Sequence, residues 1–407
     1  MLPSAPMKLL MISHGRLISN GTAGQAVLCG MAEAAISRGW RVSHLGLVKG
    51  PSESWETPHS FEAPGVVAAA EVSCLNRVEH GAGRGLGERL RRYIDHLLTV
   101  YDPTRVTEFA PPKPALLNDV YDGVIAFEPL AIELAKSVTS KRVIGILGDP
   151  TGRRTWHSSG WRQLQMKMQA VFWDLAEPYH FRRSIPGSWQ IAMFGTGHAA
   201  LWKRLLGRSV VDLRPSLPVK ASTADAAPEK IVVLFGGTLT STASRQSLDP
   251  LFDEIIPSLR AGFAGKPFEL RLVGECPEFV ARRAVGFPEV RILGKVASFE
   301  QELAKGHIFL LPMNYPVGVR TRVCSALAAG NVCIVHPSIL FNMPELEECP
   351  AVIVEQDISS YASIIEKAVS PETFRRLRAA ARLFFSDRYS ARVAAAPLLD
   401  WLEGRSN

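Results

Sequence analysis

Arg320 and Arg322 stand just after Gly318, at the head of a segment that passes through Ala326-Leu-Ala-Ala-Gly330 to the apolar run Val332-Cys-Ile-Val335. With Leu310-Leu-Pro ahead of it, the pattern reads as a buried strand, a short loop, a helix with both arginines in its first turn, and a second buried strand. A helix start leaves backbone N–H groups without intrahelical partners and carries the positive end of the macrodipole, so it draws anions. Two guanidinium groups there add charge-assisted donors shaped for phosphate oxygens. The chemistry implied is capture of a diphosphate. Spacing alone leaves the competing reading open, in which both are solvated charges on an ordinary crossover helix.

Other residues could join that task. Gly236-Gly237-Thr238 follows the apolar run Ile231–Phe235, and glycines there let a backbone approach a phosphate. Arg245 comes a few residues later, read as lying ahead of a helix from Leu248 to Ala261. In the first half, His14 follows the first apolar run, where a loop faces a ligand crevice. Glu128 precedes Pro129, and Asp149, after the strand ending at Leu147, could orient an acceptor hydroxyl. His198 sits in Gly195-Thr-Gly-His198. Gly21 and Gly24 flank Thr22 at a T-x-x-Q capping box, Thr22-Ala-Gly-Gln25, and would let acceptor groups approach the first helix start. Gly15, Gly21 and Gly24 do not keep dinucleotide-fingerprint spacing.

The elements that must position these residues alternate. Lys8–Ser13 is a strand, a helix runs through Met31–Ile36 to Gly39, and Val42–Val48 is the next strand. This opening β-α-β unit argues for a parallel sheet with helices on both faces. Gly123–Phe127, Arg142–Leu147, Gln190–Phe194 and Val210–Leu213 continue the strands, and Leu86–Tyr101, with Arg89, Arg91 and Arg92 and with Arg84 ahead of it, reads as a helix. The polar stretch Pro218–Pro228 reads as a linker, after which the pattern restarts. Strands follow at Ile231–Phe235, Phe268–Val273, Val290–Leu293, His307–Leu311, Val332–Val335 and Ala351–Val354, then helices from Tyr361 and Pro371. The expected fold class is α/β, with two doubly wound Rossmann-like domains facing a cleft. The expected boundaries are 1–217, a linker at 218–229, 230–385, and a helical segment 386–407 packing back on the first domain.

The chain has 407 residues and a formal net charge of +7, with 47% hydrophobic and 21% charged residues. That length suits two domains, and the composition is that of a globular protein. The positive balance favours anionic partners, but no zinc-finger spacing and no compact basic run points to nucleic acid. The six cysteines are scattered without a CxxC, which suggests a reducing compartment and a cytoplasmic location. No metal-ligand cluster and no signal peptide is evident, and no apolar stretch approaches the roughly 18 residues of a membrane span. Arg153, Arg154, Trp156, Trp161, Arg162, Lys167, Phe172, Trp173, Phe181, Arg182 and Arg183 crowd one amphipathic region. It reads first as a core helix with a solvated face and second as a peripheral contact with an anionic membrane.

The segment from Gly318 to Gly330 resembles the donor-binding element of GT-B glycosyltransferases, in particular glycosyltransferase family 4. Gly236–Thr238 with Arg245, Leu272-Val-Gly274-Glu275 and Leu293-Gly-Lys295-Val296 are similar to that family's diphosphate loop and nucleotide-pocket strand ends. The resemblance covers most of residues 230 to 340 well and the first half loosely. It implies a transferase that moves a sugar from a UDP- or GDP-type nucleotide sugar to a glycan, lipid-linked or other hydroxyl acceptor, as in polysaccharide biosynthesis. No other cofactor and no metal is implied, and retention at the anomeric carbon is expected. Donor contacts would extend to Thr321, with Lys295 and Val296 reading the base. The family's two glutamates, eight positions apart, fall here on Val317 and Ser325, and its histidine before a Glu-Pro pair falls on Phe127. Those departures leave two further readings, a catalytically impaired relative acting as a binding or regulatory partner and a sugar-nucleotide epimerase.

Overall fold

The computed structural model describes residues 5–15, 17, 23–49, 65–76, 107–109, 115–158, 164–219, 230–263 and 265–405. Gly21, Thr22, the Leu86–Tyr101 helix with its arginines, Arg84, Trp161, Arg162 and linker residues 220–229 lie outside the described residues. The chain divides into two units, Met1–Ser216 with Ala395–Asn407, and Leu217–Ala394.

The first unit is built on an eight-stranded sheet of order β4-β3-β2-β1-β5-β6-β7-β8. Its strands are β1 (Lys8–His14), β2 (Arg41–Lys49), β3 (Val66–Asn76), β4 (Thr107–Phe109), β5 (Val120–Phe127), β6 (Thr139–Leu147), β7 (Gln190–Phe194) and β8 (Val210–Leu213). All pairings are parallel except that of β4 with β3 at the edge. Helices α1 (Ala23–Ser37), α2 (Pro129–Ala135), α3 (Thr151–Ser158), α4 (Leu164–Ser184) and α5 (Thr196–Leu206) accompany the sheet. Strands buried on both faces must be apolar throughout, and Leu9 to Ile12 of β1 are wholly buried. Strand β3 is absent from the sequence reading because Val66-Val-Ala-Ala-Ala-Glu-Val72 is rich in alanine, a weak strand former.

The second unit carries a six-stranded sheet of order β11-β10-β9-β12-β13-β14, parallel throughout. These strands are β9 (Ile231–Gly236), β10 (Phe268–Val273), β11 (Val290–Gly294), β12 (Ile308–Leu311), β13 (Val332–Val335) and β14 (Val352–Val354). Its helices are α6 (Thr242–Pro250), α7 (Ile256–Gly262), α8 (Glu278–Ala284), α9 (Phe299–Ala304), α10 (Thr321–Ala329), α11 (Tyr361–Ala368) and α12 (Pro371–Arg388). The single helix expected over Leu248–Ala261 is instead α6, a π-type turn at Leu251–Ile255, and α7. Pro250 and Pro257 each remove a backbone donor, so a continuous α ladder cannot form across them.

The last helix, α13 (Ala391–Glu403), begins in the second unit and ends in the first. Within the first unit, Arg38 Nη1 meets Asp400 Oδ1 at 2.7 Å, Trp40 Nε1 donates to Glu403 Oε1 at 3.2 Å, and the Arg142 guanidinium lies 5.4 Å from the Trp401 ring centre.

Helix α4 has one buried face and one exposed face, as a core helix with a solvated face would. Ala170, Trp173 and Phe181 are buried, but the opposite face is exposed and also apolar. A helix apolar on both faces gives no periodicity that says which one enters the core.

Glu177 of α4 is 8% exposed. Its carboxyl accepts from the backbone N of Thr151 at 3.1 Å and from Thr151 Oγ1 at 2.8 Å, tying α4 to the first residue of α3. Burial pushes this carboxyl from the ordinary 4.5 up to about 7. The stability this gives is whole below about pH 4.5 and is lost as pH rises through about 7, a difference of at most ~3 kcal/mol. Glu177→Gln keeps an acceptor for Thr151 and cannot ionise. Urea denaturation between pH 5 and 8 should therefore give a flatter stability profile for the variant than for the parent.

Candidate functional site

In the second unit the strand order reverses between β9 and β12, which are sheet neighbours although β10 and β11 intervene in sequence. In open parallel sheets a crevice forms outside the carboxyl ends at such a switch point. Four glycines stand at the carboxyl ends of β9, β10 and β11. Gly236 ends β9 and Gly237 follows, Gly274 follows β10, and Gly294 ends β11. Gly237 N donates to Val273 O at 2.8 Å and Gly274 N to Gly294 O at 2.7 Å, so three strand ends are laced together. Gly237 and Gly274 have φ of +123° and +122°. A Cβ on Gly274 would lie 1.8 Å from the Gly237 carbonyl oxygen, and a Cβ on Gly237 would lie 2.1 Å from Arg322 Nη1. Only glycine fits at either position.

Arg322, the second residue of α10, is partly buried against this corner and donates through Nη1 to Gly236 O at 2.5 Å. Burial, with the charge of Arg320 beside it, pulls Arg322 down to about 10, so it stays cationic at neutral pH. Among the described residues no carboxylate lies within ion-pair distance of it. A cation withdrawn from water without a counter-ion is costly, and the start of α10 adds further positive potential. An anion at this corner would offset both.

Arg320 and Arg322 hold different parts of the backbone. Arg320 is the capping residue, with φ −103° and ψ 77°, so its side chain leaves the backbone in another direction from that of Arg322. Its guanidinium donates to Tyr315 O and lies 5.3 Å from the Tyr315 ring centre. That loop is held by residues the sequence reading passed over. Ser338 Oγ donates to Met313 O at 3.0 Å and accepts from Tyr315 N at 3.2 Å. Asn342, 3% exposed, donates to the Pro316 and Gly318 carbonyls at 3.3 Å each. Ser338 lies in the short 3-10 turn Pro337–Phe341 and Asn342 caps it, beyond β13, so nothing local to the loop announces them.

Val317 is 2% exposed, leaving only its backbone for a ligand, and Ser325 is 8% exposed. Thr321 opens α10, Thr238, Glu275 and Lys295 are exposed, and Val296 is half-buried. Arg245 falls inside α6 rather than ahead of a helix, because Ser241 caps α6 by accepting from Ser244 N at 3.3 Å. Its side chain is outside the described set. Glu345 was not foreseen either: it lies beside Cys324 of α10 and accepts from Tyr389 Oη at 2.8 Å.

The first unit has its own switch point, between β1 and β5. Their register pairs Ile12 with Ala126, so two residues on His14 meets Glu128, with Nε2 and Oε2 3.5 Å apart. Both side chains are about one third exposed, at 31% and 39%. Glu128 has φ 76°, and no other non-glycine among the described residues has positive φ. Its N–H donates to Ile146 O at 2.9 Å and its carbonyl accepts from Ile132 N at 3.1 Å, which hold the strained turn. Asp149, after β6, has Oδ1 3.8 Å from Nδ1 of His198, which is 1% exposed in the first turn of α5. The ends of β1, β5 and β6 and the start of α5 thus bring His14, Glu128, Asp149 and His198 to one edge of this sheet.

Gly24 is corrected. A Cβ on it would lie 2.9 Å from the Phe127 ring, which also packs edge-on against Phe194 at 6.2 Å between centres. The space at Gly24 is taken by that ring rather than left for an acceptor. Among the described residues no cluster of three or more His, Cys, Asp or Glu is placed to hold a metal.

Two stability tests follow from this geometry. Glu128→Gly should be more stable than Glu128→Ala by about 1 kcal/mol in urea unfolding, because both remove the carboxylate from His14 and only glycine relieves the positive φ. Gly237→Ala should lower the melting temperature, with a cost of about 1–3 kcal/mol, because it combines positive φ with a collision against Arg322.

Residues 230–370 match the family model described as "Glycosyl transferases group 1". No curated protein matches the sequence. Among solved structures, Anabaena HepE in complex with UDP and glucose is 14% identical, covering 98% of this chain and 100% of that one, with a TM-score of 0.60. A glycosyltransferase from Rickettsia africae is 9% identical, with 98% of each chain covered and a TM-score of 0.59. A variant of S. aureus TarM in complex with fondaparinux, alpha-GlcNAc-glycerol and UDP is 9% identical over 98% of this chain and 100% of that one, with a TM-score of 0.60. The chain shares the two-unit fold of these glycosyltransferases, and residues 230–370 of its second unit are similar to the group 1 glycosyl transferase model.

Proposed function

We propose that the protein is a glycosyltransferase that takes a sugar from a nucleoside diphosphate sugar and passes it to a hydroxyl acceptor. The observation that carries the reading is Arg322, a partly buried cation without a carboxylate partner among the described residues, set on a glycine-lined corner at a sheet switch point. In the proposed reaction the bond from the anomeric carbon to the diphosphate oxygen breaks. Both electrons leave with the diphosphate, where Arg322 and the N–H groups at the start of α10 stabilise the developing charge. The acceptor oxygen bonds to the anomeric carbon and its proton passes to a general base, a role for which His14 and Glu128 are the proposed candidates. Retention at that carbon is expected from the family resemblance.

HepE is described with UDP and with UDP-glucose, which supports a uridine donor. Gly274, Glu275, Lys295 and Val296, at the ends of β10 and β11, are the proposed nucleotide wall. The proposed acceptor is a glycan or lipid-linked hydroxyl, and Asp149 and His198 are proposed to orient it. A cytoplasmic location fits Cys29, Cys276, Cys324, Cys333 and Cys349, which form no disulfide among the described residues.

Calorimetric titration with UDP and UDP-glucose tests the reading. Arg322→Ala should weaken both by ten- to a hundredfold, the effect of losing a charged hydrogen bond worth about 1.5–3 kcal/mol. Charge reversal of Arg320 together with Arg322 should abolish binding. Unchanged affinity in Arg322→Ala would remove the proposed donor site. Nucleotide binding without nucleotide release, under every acceptor tried, would leave a binding protein in place of an enzyme.

A further inference from the structure

Helix α4 carries Leu164, Met168, Val171, Phe172, Leu175 and Tyr179, which are 68%, 67%, 50%, 45%, 71% and 59% exposed. Counted from Leu164 they fall at i, i+4, i+7, i+8, i+11 and i+15, so they form one stripe along the helix. At 1.5 Å per residue the stripe is about 22 Å long. A contiguous apolar strip of this size is unusual on a protein surface and marks an interaction site.

The charges beside it say what kind. The basic residues of α3 and α4 are Arg153, Arg154, Lys167, Arg182 and Arg183, and the acids of the same helices are Asp174 and Glu177. Asp174 lies 3.7 Å from Arg153, and Glu177 is buried. Lys167 Nζ lies 4.6 Å from the ring centre of Trp156, itself 39% exposed, and the Arg183 guanidinium lies 4.8 Å from that of Tyr179. The exposed surface is therefore apolar along its middle and cationic at its margins, with aromatic rings between.

We propose that α4 with α3 is a docking surface for an anionic lipid bilayer, into whose interface the stripe inserts while Arg154, Lys167, Arg182 and Arg183 meet lipid phosphates. An interfacial helix needs this arrangement: apolar side chains sink below the headgroups, aromatic rings sit at their level, and long cationic side chains reach outward to them. A second copy of the chain fits less well. Pairing α4 with itself would bring these basic margins together without acids to meet them. The proposal is independent of the donor site in the second unit and stands or falls separately.

The test is co-sedimentation of the full chain with vesicles of phosphatidylcholine alone and of phosphatidylcholine with phosphatidylglycerol in equal parts. Binding is expected only to the anionic vesicles and should fall with added salt. Met168→Gln with Leu175→Gln alters two of the most exposed apolar side chains, and should weaken vesicle binding at least about tenfold with melting temperature and UDP affinity unchanged. Arg182→Gln with Arg183→Gln should also weaken it, which keeps the test decisive if the first variant folds poorly. Failure of the parent to bind anionic vesicles would overturn the proposal. So would full binding by both folded variants, or light scattering that shows a dimer lost in the Gln variants.

Discussion

The hydrogen bond from Arg322 to the Gly236 carbonyl is the interaction around which the second unit's site is arranged. It fixes a guanidinium over a corner where three strand ends come within hydrogen-bond reach of one another. The contact is possible only because Gly237 has no side chain, and Gly237 is itself so close to Gly274 that this second position must be bare as well. Glycine takes the positive φ at both backbone positions without strain, whereas a cation withdrawn from water without a carboxylate partner among the described residues is unfavourable for folding. The negative charge of a ligand at this carboxyl edge of the sheet would offset that cost.

Each unit puts its candidate residues at the place where its sheet reverses direction. In the second unit β9 and β12 meet there, and in the first unit β1 and β5 do. At such a reversal the crossovers on either side carry the following loops away from each other, which is where open parallel sheets bind ligands. His14 and Glu128 occupy that place in the first unit, 114 positions apart in sequence yet brought level by one strand register. The strain at Glu128 belongs to the same argument. Its φ of 76° persists because Pro129 starts α2 immediately after it and because Ile146 and Ile132 hold its N–H and carbonyl.

Where the sequence resemblance would place polar residues, this chain packs apolar side chains. Phe127 fills the space beside Gly24 and packs against Phe194. Val317 goes into the core, while Asn342 and Ser338 hold its loop through backbone carbonyls and an N–H. Buried backbone groups of a loop need partners, and here side chains at the turn after β13 supply them.

The alternation of apolar runs with helical patterns, and its restart after Pro228, sufficed to announce two parallel-sheet units. Most strands in these layers are continuous apolar segments, a one-dimensional property. Glycines after strands, and basic residues at a helix start, were legible for the same reason. Other features needed the tertiary structure. Sequence could not say that Arg320 turns onto Tyr315 while Arg322 turns onto Gly236, since side-chain direction depends on backbone angles at the cap. It gave no hint of β3, whose alanines carry little preference for a strand, nor of the braces at Ser338 and Asn342. Helix α4, apolar on two faces, could be assigned a buried side only once its neighbours were in place. Local composition sets which elements form, whereas contacts between residues far apart in the chain decide which side chains face one another, and a site is made of the latter.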